Sequence, residues 1–448
     1  MLINDMNSVY KQILKATTIF GSVQGVNILI NLARTKLVAV LLGPSGVGLN
    51  SIFNEARELI HTTTNLGLDV SGVRGISQAY EKWKEDTESG ILWDALCEQV
   101  TLLRSWVLLL ALFGTLVCAI LATPLSLFSF GDYDHVWDFV KLAPAVGFST
   151  IGCGEMAVLK GLRKIKALAQ VSLINVIAAL VVTVPIFYFY RLDGILLAIL
   201  AYTFVSMIIT IIYGIKNHGI SITYKPKRLK AGNIMLGIGA VVVISEGVGH
   251  LVTLAVQSYL NNVASTEMVG LYSAGYTLTM TYGSMVFAAM ATDYFPRLSG
   301  MKDNVQGRNL IVKSQIKVMV LLIIPLLVLF VVLMPYLVPL LLEAKFNAII
   351  PMAQVAAVGL LFRAVVLAVN YLPLAMGDSK IYFLLNLIGA LDVLVVIPGY
   401  IYGGLFGMGI ALTAQNFLDM LISIAVARWY YKIKQRKAFL CLVALRNR

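Results

Sequence analysis

Long apolar stretches recur along the whole chain and are separated by short polar connections. A helix needs about 20 apolar residues to cross the hydrocarbon core of a bilayer, so each stretch of that length predicts a membrane-spanning helix. By this hydropathy criterion we expect about twelve spans and an all-α polytopic membrane protein. The predicted spans are 14–42, 46–72, 99–123, 137–160, 167–190, 194–215, 232–259, 265–295, 314–342, 349–376, 380–402 and 405–430.

The composition supports a membrane protein and excludes an ordinary soluble one. Hydrophobic residues make up 59% of the chain and charged residues 13%, against about 45–50% and about 25% in soluble domains. The cysteines are scattered and lack the paired spacing of metal or redox sites. We therefore expect no metal site and no cofactor.

Lysine and arginine residues are concentrated in alternate connections between the predicted spans. The opposite connections contain only Arg191 and Lys345. Because basic loops remain on the cytoplasmic side of a membrane, we expect both termini to be cytoplasmic. The same loops account for most of the net charge of +12. Anionic membrane lipids, and not nucleic acid, are therefore the expected partners of this charge.

Three short motifs occur twice, in the same order and at a nearly constant offset. This repeat predicts two matched lobes, and the alternative is that short glycine and aromatic matches arise by chance between two apolar halves. The matches are VGLNS (47–51) with VGLYS (269–273), AVGF (145–148) with AVGL (357–360), and PIFYFYRLDG (185–194) with PGYIYGGLFG (398–407).

The repeat divides the chain near residue 225, in a basic connection. We predict an N-terminal lobe over 1–215, a cytoplasmic basic linker over 216–231, and a C-terminal lobe over 232–448 that ends in a basic cytoplasmic tail. Six helices return the chain to its starting side, so both lobes enter the membrane from the same side and a pseudo-two-fold axis along the membrane normal relates them. This arrangement is typical of transporters, because a cleft between two lobes can open to either face.

The second predicted span carries four ionisable residues within seven positions: Glu55, Arg57, Glu58 and His61. Each would cost about 2.5–3.5 kcal/mol near the centre of a lipid-facing helix, so the four must face water or protein. At 1.5 Å per residue from Gly46, Arg57 lies about 16 Å deep, close to the midplane. One interpretation is a polar cavity wall. The alternative is a local ion-pair set, Glu58 with Arg57 or His61, that lets the helix pack.

Ionisable residues at comparable depth occur in spans of both lobes. Arginine donates hydrogen bonds in pairs and keeps its charge, which suits a diphosphate. The candidate substrate-binding residues, for diphosphate or sugar, are Arg34, Lys36, Arg57, His61 and Arg363. The candidates for ion coupling, by Na⁺ or H⁺, or for cavity ion pairs are Glu55, Glu58, Glu246, His250, Asp392 and Asp419.

Residues 32–80 resemble the N-terminal region of the Wzx-type flippases, the bacterial O-antigen and polysaccharide translocases. The resemblance lies in the leucine-rich turn LLGPSGVGL at 41–49, followed by a helix with polar residues and a glycine-rich exit. The helix number, the two lobes, the basic middle linker and the chain length agree across essentially the whole sequence. These flippases share a superfamily with the lipid II flippases and the multidrug and toxin extruders.

The resemblance implies a flippase that moves undecaprenyl-diphosphate-linked oligosaccharide from the cytoplasmic to the periplasmic leaflet of the bacterial inner membrane by alternating access. It also implies association with the polysaccharide polymerase and the chain-length machinery. Lipid II flippases bind diphosphate through arginines of the first and second helices, which match Arg34 and Arg57. Their further arginine on the eighth helix has no counterpart here, and Arg363 on the tenth would substitute. The coupling carboxylate of the extruders has no equivalent on the first helix.

Two other functions stay open at this stage. A multidrug or cation antiporter of the same fold would want a cavity dominated by acids and aromatic residues. A membrane glycosyltransferase or polymerase would want a large extramembrane loop, and the outer connections are all short. A phosphate-binding GxxxxGKS motif does not occur in the sequence, so ATP does not drive the protein directly. We therefore expect a transporter and not an enzyme.

Overall fold

The computed structural model describes residues 2–86, 90–218, 220, 233–281, 283, 287, 294, 298, 305–376 and 378–446. Every regular element in these ranges is a helix. The α-helices are α1 (Leu2–Thr64), α2 (Leu68–Glu85), α3 (Gly90–Ile120), α4 (Ala122–Phe130), α5 (Val136–Gly161), α6 (Ile165–Tyr190), α7 (Ile195–His218), α8 (Asn233–Val263), α9 (Thr266–Tyr276), α10 (Val305–Leu341), α11 (Ile350–Ala375), α12 (Ser379–Leu391) and α13 (Val396–Arg446). Short 3-10 or π-helical segments lie at Arg191–Gly194, Thr277–Thr281, Ala344–Ile349 and Asp392–Val395.

Two of the helices contain breaks that the apolar pattern predicts. α1 is interrupted at Gly43, whose φ of 66° and ψ of −177° are not helical, between the predicted spans 14–42 and 46–72. α13 is interrupted at Gly403 and Gly404, with φ of 55° at Gly404, between the predicted spans 380–402 and 405–430. A positive φ is readily adopted by glycine because it has no Cβ. Both predicted breaks are confirmed.

The predicted span 46–72 is wrong at its C-terminal end. The helix ends at Thr64, and Leu66 and Gly67 both have positive φ. α2 begins at Leu68 as a separate helix. The predicted span 265–295 can be compared only in part, since most of its residues after Thr281 lie outside the described ranges.

Seven helical stretches of the described chain are long and apolar enough to cross a membrane. Two of them contain the breaks at Gly43 and at Gly403 and Gly404, and a third contains the 3-10 turn Arg191–Gly194 between α6 and α7. These three stretches are Gly25–Thr64, Lys380–Trp429 and Ile165–Asn217, of 40, 50 and 53 residues. About 20 residues suffice for one crossing, so each of these stretches is long enough for two. The protein is therefore a multi-pass membrane protein.

The chain divides into two compact units. The first comprises Met1–Ser273 and Leu340–Lys345, and the second comprises Ala274–Pro339 and Phe346–Arg448. The first unit thus includes α8, which the sequence analysis assigns to the C-terminal lobe. Most of the predicted linker 216–231 lies outside the described residues. The predicted lobe limits remain a prediction.

The two copies of the VGL motif contact each other within the first unit. A Cβ on Gly48 would collide with the carbonyl oxygen of Thr266, and a Cβ on Gly270 would collide with that of Pro44. Pro44 and Thr266 each lie four residues before the glycine of their own copy, so the contact is reciprocal. The Ser51 hydroxyl donates to the Ser273 hydroxyl at 3.0 Å, again joining equivalent positions. Reciprocal contacts between equivalent positions are those of a local two-fold axis that relates the two copies.

Gly270→Ala is expected to lower thermal stability, because the added methyl group has no room against the backbone. Overpacking of this kind costs about 1–3 kcal/mol. The matched control is Gly249→Ala in α8, where a Cβ would meet nothing within 4 Å and alanine should gain helix propensity. Thermal unfolding of the purified variants in detergent measures the difference. Equal midpoints for the two variants would contradict the close contact.

Candidate functional site

A cavity of about 230 Å³ lies inside the first unit, between α1, α5, α6 and α7. Arg57, Glu58 and His61 of the predicted site lie together on its wall. Neutral polar side chains also line the cavity. They are the hydroxyl groups and the amide of Ser149, Asn175, Tyr202, Thr203, Ser206 and Thr210. The cavity therefore offers one guanidinium group, one carboxylate and one imidazole among neutral hydrogen-bonding groups.

Arg57 is buried, with 8% of its surface exposed. Its Nη1 donates to the Ser149 hydroxyl of α5 at 2.6 Å, and its Nη2 donates to Glu58 Oε1 at 2.5 Å. The other carboxylate oxygen of Glu58 lies 3.5 Å from His61 Nδ1. Glu58 therefore bridges Arg57 and His61, which is the ion-pair set of the sequence analysis. The same three residues also line the cavity, so the two interpretations coexist.

Three buried polar atoms on this wall have no hydrogen-bond partner within the described part of the chain. They are Arg57 Nε, His61 Nε2 and Asn175 Oδ1. Arg57 Nε is a donor, Asn175 Oδ1 is an acceptor, and His61 Nε2 is either one, depending on its tautomer. A buried polar atom left without a partner costs about 1–3 kcal/mol. These atoms could therefore bind a polar ligand that both accepts and donates hydrogen bonds.

Glu55 lies apart from this trio and pairs with another helix. Its Oε1 is 2.6 Å from His250 Nδ1 of α8. The side chains of His250 and Glu55 keep 32% and 20% of their surface exposed, so the pair is only partly buried by protein. Glu246, one turn before His250, is exposed. Two predicted coupling candidates therefore join α1 to α8 in a single ion pair.

Arg34 and Lys36 differ in their surroundings. The Arg34 guanidinium lies 5.7 Å from the centroid of the Tyr202 ring, which is a cation–π distance. Tyr202 also lines the cavity, so Arg34 contacts one residue of its wall. Lys36 is exposed. Of the two, only Arg34 is linked by a described contact to the cavity.

Arg363 and Asp419 lie in the second unit and face each other. Arg363 Nη1 is 3.9 Å from Asp419 Oδ2, and the Asp419 side chain is 5% exposed against 35% for Arg363. Asp419 packs against Gly389, where a Cβ would lie 3.3 Å from its Oδ2. The side chain of Asp392 lies outside the described residues. A cavity shared by Arg57 and Arg363 remains a prediction.

Arg104 and Glu155 form a buried ion pair that was not among the predicted site residues. Arg104 of α3 donates to both carboxylate oxygens of Glu155 of α5, from Nε at 2.6 Å and from Nη2 at 3.0 Å. Arg104 Nη1 also donates to the carbonyl oxygen of Ile220 at 3.2 Å. Both charged residues are 5% exposed. Both residues could have been selected from the sequence, because each is a charged residue inside a predicted apolar span.

The family model described as "Polysaccharide biosynthesis protein" matches residues 98–351, more than half of the chain. This chain belongs to that polysaccharide biosynthesis protein family. No curated protein matches the chain at a significant level.

Solved structures with a similar fold are transporters of the MOP superfamily and a lipid flippase. The lipid II flippase MurJ in an inward closed conformation aligns with a TM-score of 0.71 and 14% identity, covering 91% of this chain and 87% of its own. An inward-facing multidrug resistance MATE family transporter aligns with a TM-score of 0.68 and 15% identity, covering 94% of this chain and 99% of its own. A MOP superfamily transporter from Pyrococcus furiosus aligns with a TM-score of 0.62 and 14% identity, covering 93% of each chain.

These matches confirm the predicted fold class, an all-helical membrane protein with the extruder-like fold. The family match agrees with the predicted resemblance to proteins of polysaccharide biosynthesis, and the fold is shared with a lipid II flippase and with multidrug transporters. At this level of identity the solved structures establish the fold alone. The cargo and the roles of individual residues therefore depend on the chemistry of the site.

Proposed function

We propose that this chain is a flippase that moves undecaprenyl-diphosphate-linked oligosaccharide, an O-antigen or related repeat unit, from the cytoplasmic to the periplasmic leaflet by alternating access. It would act as a transporter and not as an enzyme, in the bacterial inner membrane and with both termini in the cytoplasm. The polysaccharide polymerase and the chain-length machinery would be its partners, and a cation, Na⁺ or H⁺, would couple transport.

The observation that carries this proposal is the buried Arg57 on the wall of a polar cavity within a membrane-spanning bundle. Arginine is well suited to phosphate because its planar fork donates several hydrogen bonds. Two of the Arg57 nitrogen atoms are bound to Ser149 and Glu58, and Nε is left for an acceptor. The hydroxyl groups and the Asn175 amide of the same wall are suited to sugar hydroxyls.

The size of the cavity limits what it can receive. Pockets for drug-sized ligands have volumes of about 300–1,000 Å³, and this cavity has about 230 Å³. The whole lipid-linked oligosaccharide cannot enter it. A diphosphate or the sugar next to it is a guest of suitable size, while the prenyl chain stays in lipid.

Reconstitution into vesicles tests the proposed cargo. The purified protein is placed in liposomes with a fluorescent undecaprenyl-diphosphate-linked sugar, and transfer between leaflets is scored with a membrane-impermeant quencher. The matched control lipid carries the same chain, sugar and fluorophore without the diphosphate. We expect rapid transfer of the diphosphate lipid only. Transfer of an organic cation dye against a proton or sodium gradient, with no transfer of the lipid, would instead identify an extruder.

A further inference from the structure

Arg57 already has a negative partner, and this limits how an anion can bind. Glu58 Oε1 accepts from Arg57 Nη2 at 2.5 Å, and Glu58 Oε2 lies 3.5 Å from His61 Nδ1. A diphosphate that engaged Arg57 fully would compete with this carboxylate for the same donors. If Glu58 kept its charge and His61 stayed neutral, two anionic groups would then share one wall of the cavity. Like charges in a partly buried site repel strongly, because the effective dielectric is low.

We propose that the headgroup anion takes the place of Glu58 on Arg57, and that one proton, shared by Glu58 and His61, enters the cavity with each headgroup. This inference rests on the proposed function and adds the protonation step that accompanies binding of the headgroup, together with the residues that take up the proton. A protonated His61 would hold the displaced Glu58 as an ion pair. A protonated Glu58 would instead remove the repulsion directly. The proton count is the same in both cases.

The geometry favours this exchange over a fixed structural pair. Glu58 follows Arg57 directly in the chain and keeps 36% of its side-chain surface exposed, so it can turn away without unfolding the helix. Arg57 keeps its bond to Ser149 at 2.6 Å, which would hold the guanidinium in place during the exchange. His61 Nε2 is buried and has no partner within the described chain. An N–H group at this position could donate a hydrogen bond to the arriving phosphate.

Other titratable and charged groups surround Arg57, Glu58 and His61. α6 contributes Asn175, which does not titrate, to the cavity wall. The groups on the neighbouring elements that face or electrostatically influence Glu58, His61 and their surroundings are Glu55 of α1, Asp69 of α2, Cys153 and Lys160 of α5, Tyr202 of α7, and Glu246 and His250 of α8. Glu55 and His250 already pair with each other at 2.6 Å.

Calorimetric titration with a synthetic diphosphate diester tests the proton count. The probe is farnesyl-diphospho-N-acetylglucosamine, whose phosphates are diesters and do not titrate near neutral pH. Binding is measured in two buffers with different ionisation heats, from about pH 5 to 8, the range in which histidines ordinarily change charge. We expect uptake of about one proton per probe. The affinity should then fall by about tenfold for each unit of rising pH where uptake is complete.

Glu58→Gln is the diagnostic variant. It removes the competing charge, so proton uptake should drop close to zero and binding at the highest pH should be at least as tight as in the parent. A merely structural role for Glu58 would weaken binding at every pH. Glu81→Gln is the matched control, because Glu81 pairs with Arg163 outside the cavity, and it should keep the parental proton uptake.

The outcomes separate this inference from the proposed function. Binding of the probe by the parent without proton uptake, or unchanged uptake in Glu58→Gln, would overturn the exchange and leave the flippase proposal intact. Failure of the parent to bind the probe at all would overturn both.

Discussion

Arg57→Ala is expected to lower the rate of leaflet transfer of the diphosphate lipid by about 10- to 100-fold. The variant removes the only cavity-lining guanidinium within the described residues, and hydrogen bonds to charged groups contribute about 1.5–3 kcal/mol. Each 1.4 kcal/mol corresponds to about a factor of ten. The variant also removes the guanidinium that pairs with the Glu58 carboxylate, so the headgroup would meet a less positive wall. Transfer is measured by the vesicle assay described above.

Two further arginine variants make the result specific. Arg163→Ala is the matched control, because the Arg163 side chain is 59% exposed and its ion pair with Glu81 lies at the surface. Such pairs contribute about 0–1 kcal/mol, and transfer should be unchanged. Arg57→Lys keeps the positive charge but loses the planar fork, so an intermediate rate is expected. Parental transfer by Arg57→Ala that is folded and reconstituted would exclude the diphosphate role of this residue.

Arg104→Ala is expected to have the largest effect on stability. Breaking a buried ion pair by removing one partner costs about 3–5 kcal/mol, because the remaining buried charge loses the opposite charge that compensated it. Here Glu155 would lose both hydrogen bonds from Arg104. The Ile220 carbonyl, at the beginning of the linker, would lose its donor as well. We expect aggregation or a sharply lower unfolding temperature in detergent, measured by fluorescence-detected size exclusion during heating.

A double variant distinguishes the buried charge from the packing. Arg104→Met combined with Glu155→Leu removes both charges of this pair, and such replacements are often neutral or stabilising. We expect it to recover much of the stability lost in Arg104→Ala. Lys141→Ala is the surface control, since Lys141 is 63% exposed in its pair with Asp138. A double variant as unstable as Arg104→Ala would show that the side-chain shapes, and not the charges, are essential.

The helices and their breaks were predictable because their causes are local. A run of apolar residues and a Gly-Pro pair at Gly43 are both visible in the sequence, and the structure breaks α1 there. The break after Thr64 was missed because Leu66, a residue that rarely has positive φ, takes φ of 51°. Gly67, which also has positive φ, was a local signal for the end of the helix, but the apolar residues on both sides continue the pattern of a single span.

The site was predictable in its residues but not in its partners. Arg57, Glu58 and His61 stand out as charges in an apolar span, and the spacing of i and i+3 allows the contact of Glu58 with His61. Ser149 lies 92 residues away from Arg57, and its hydroxyl is one of many in the chain. Arg104 and Glu155 are 51 residues apart. Pairing over such distances requires the arrangement of the helices, which hydropathy does not provide.

The hydrogen bond between Ser51 and Ser273 constrains the ancestry of the chain. If the two copies of the motif descend from one duplicated segment, the ancestral residue at this place faced an identical residue across a symmetric interface. A hydroxyl group can both donate and accept, so serine can bond to its own duplicate, whereas a carboxylate or an ammonium group would repel its duplicate. The residue retained here is therefore one that a homodimer of half-length subunits could already have used.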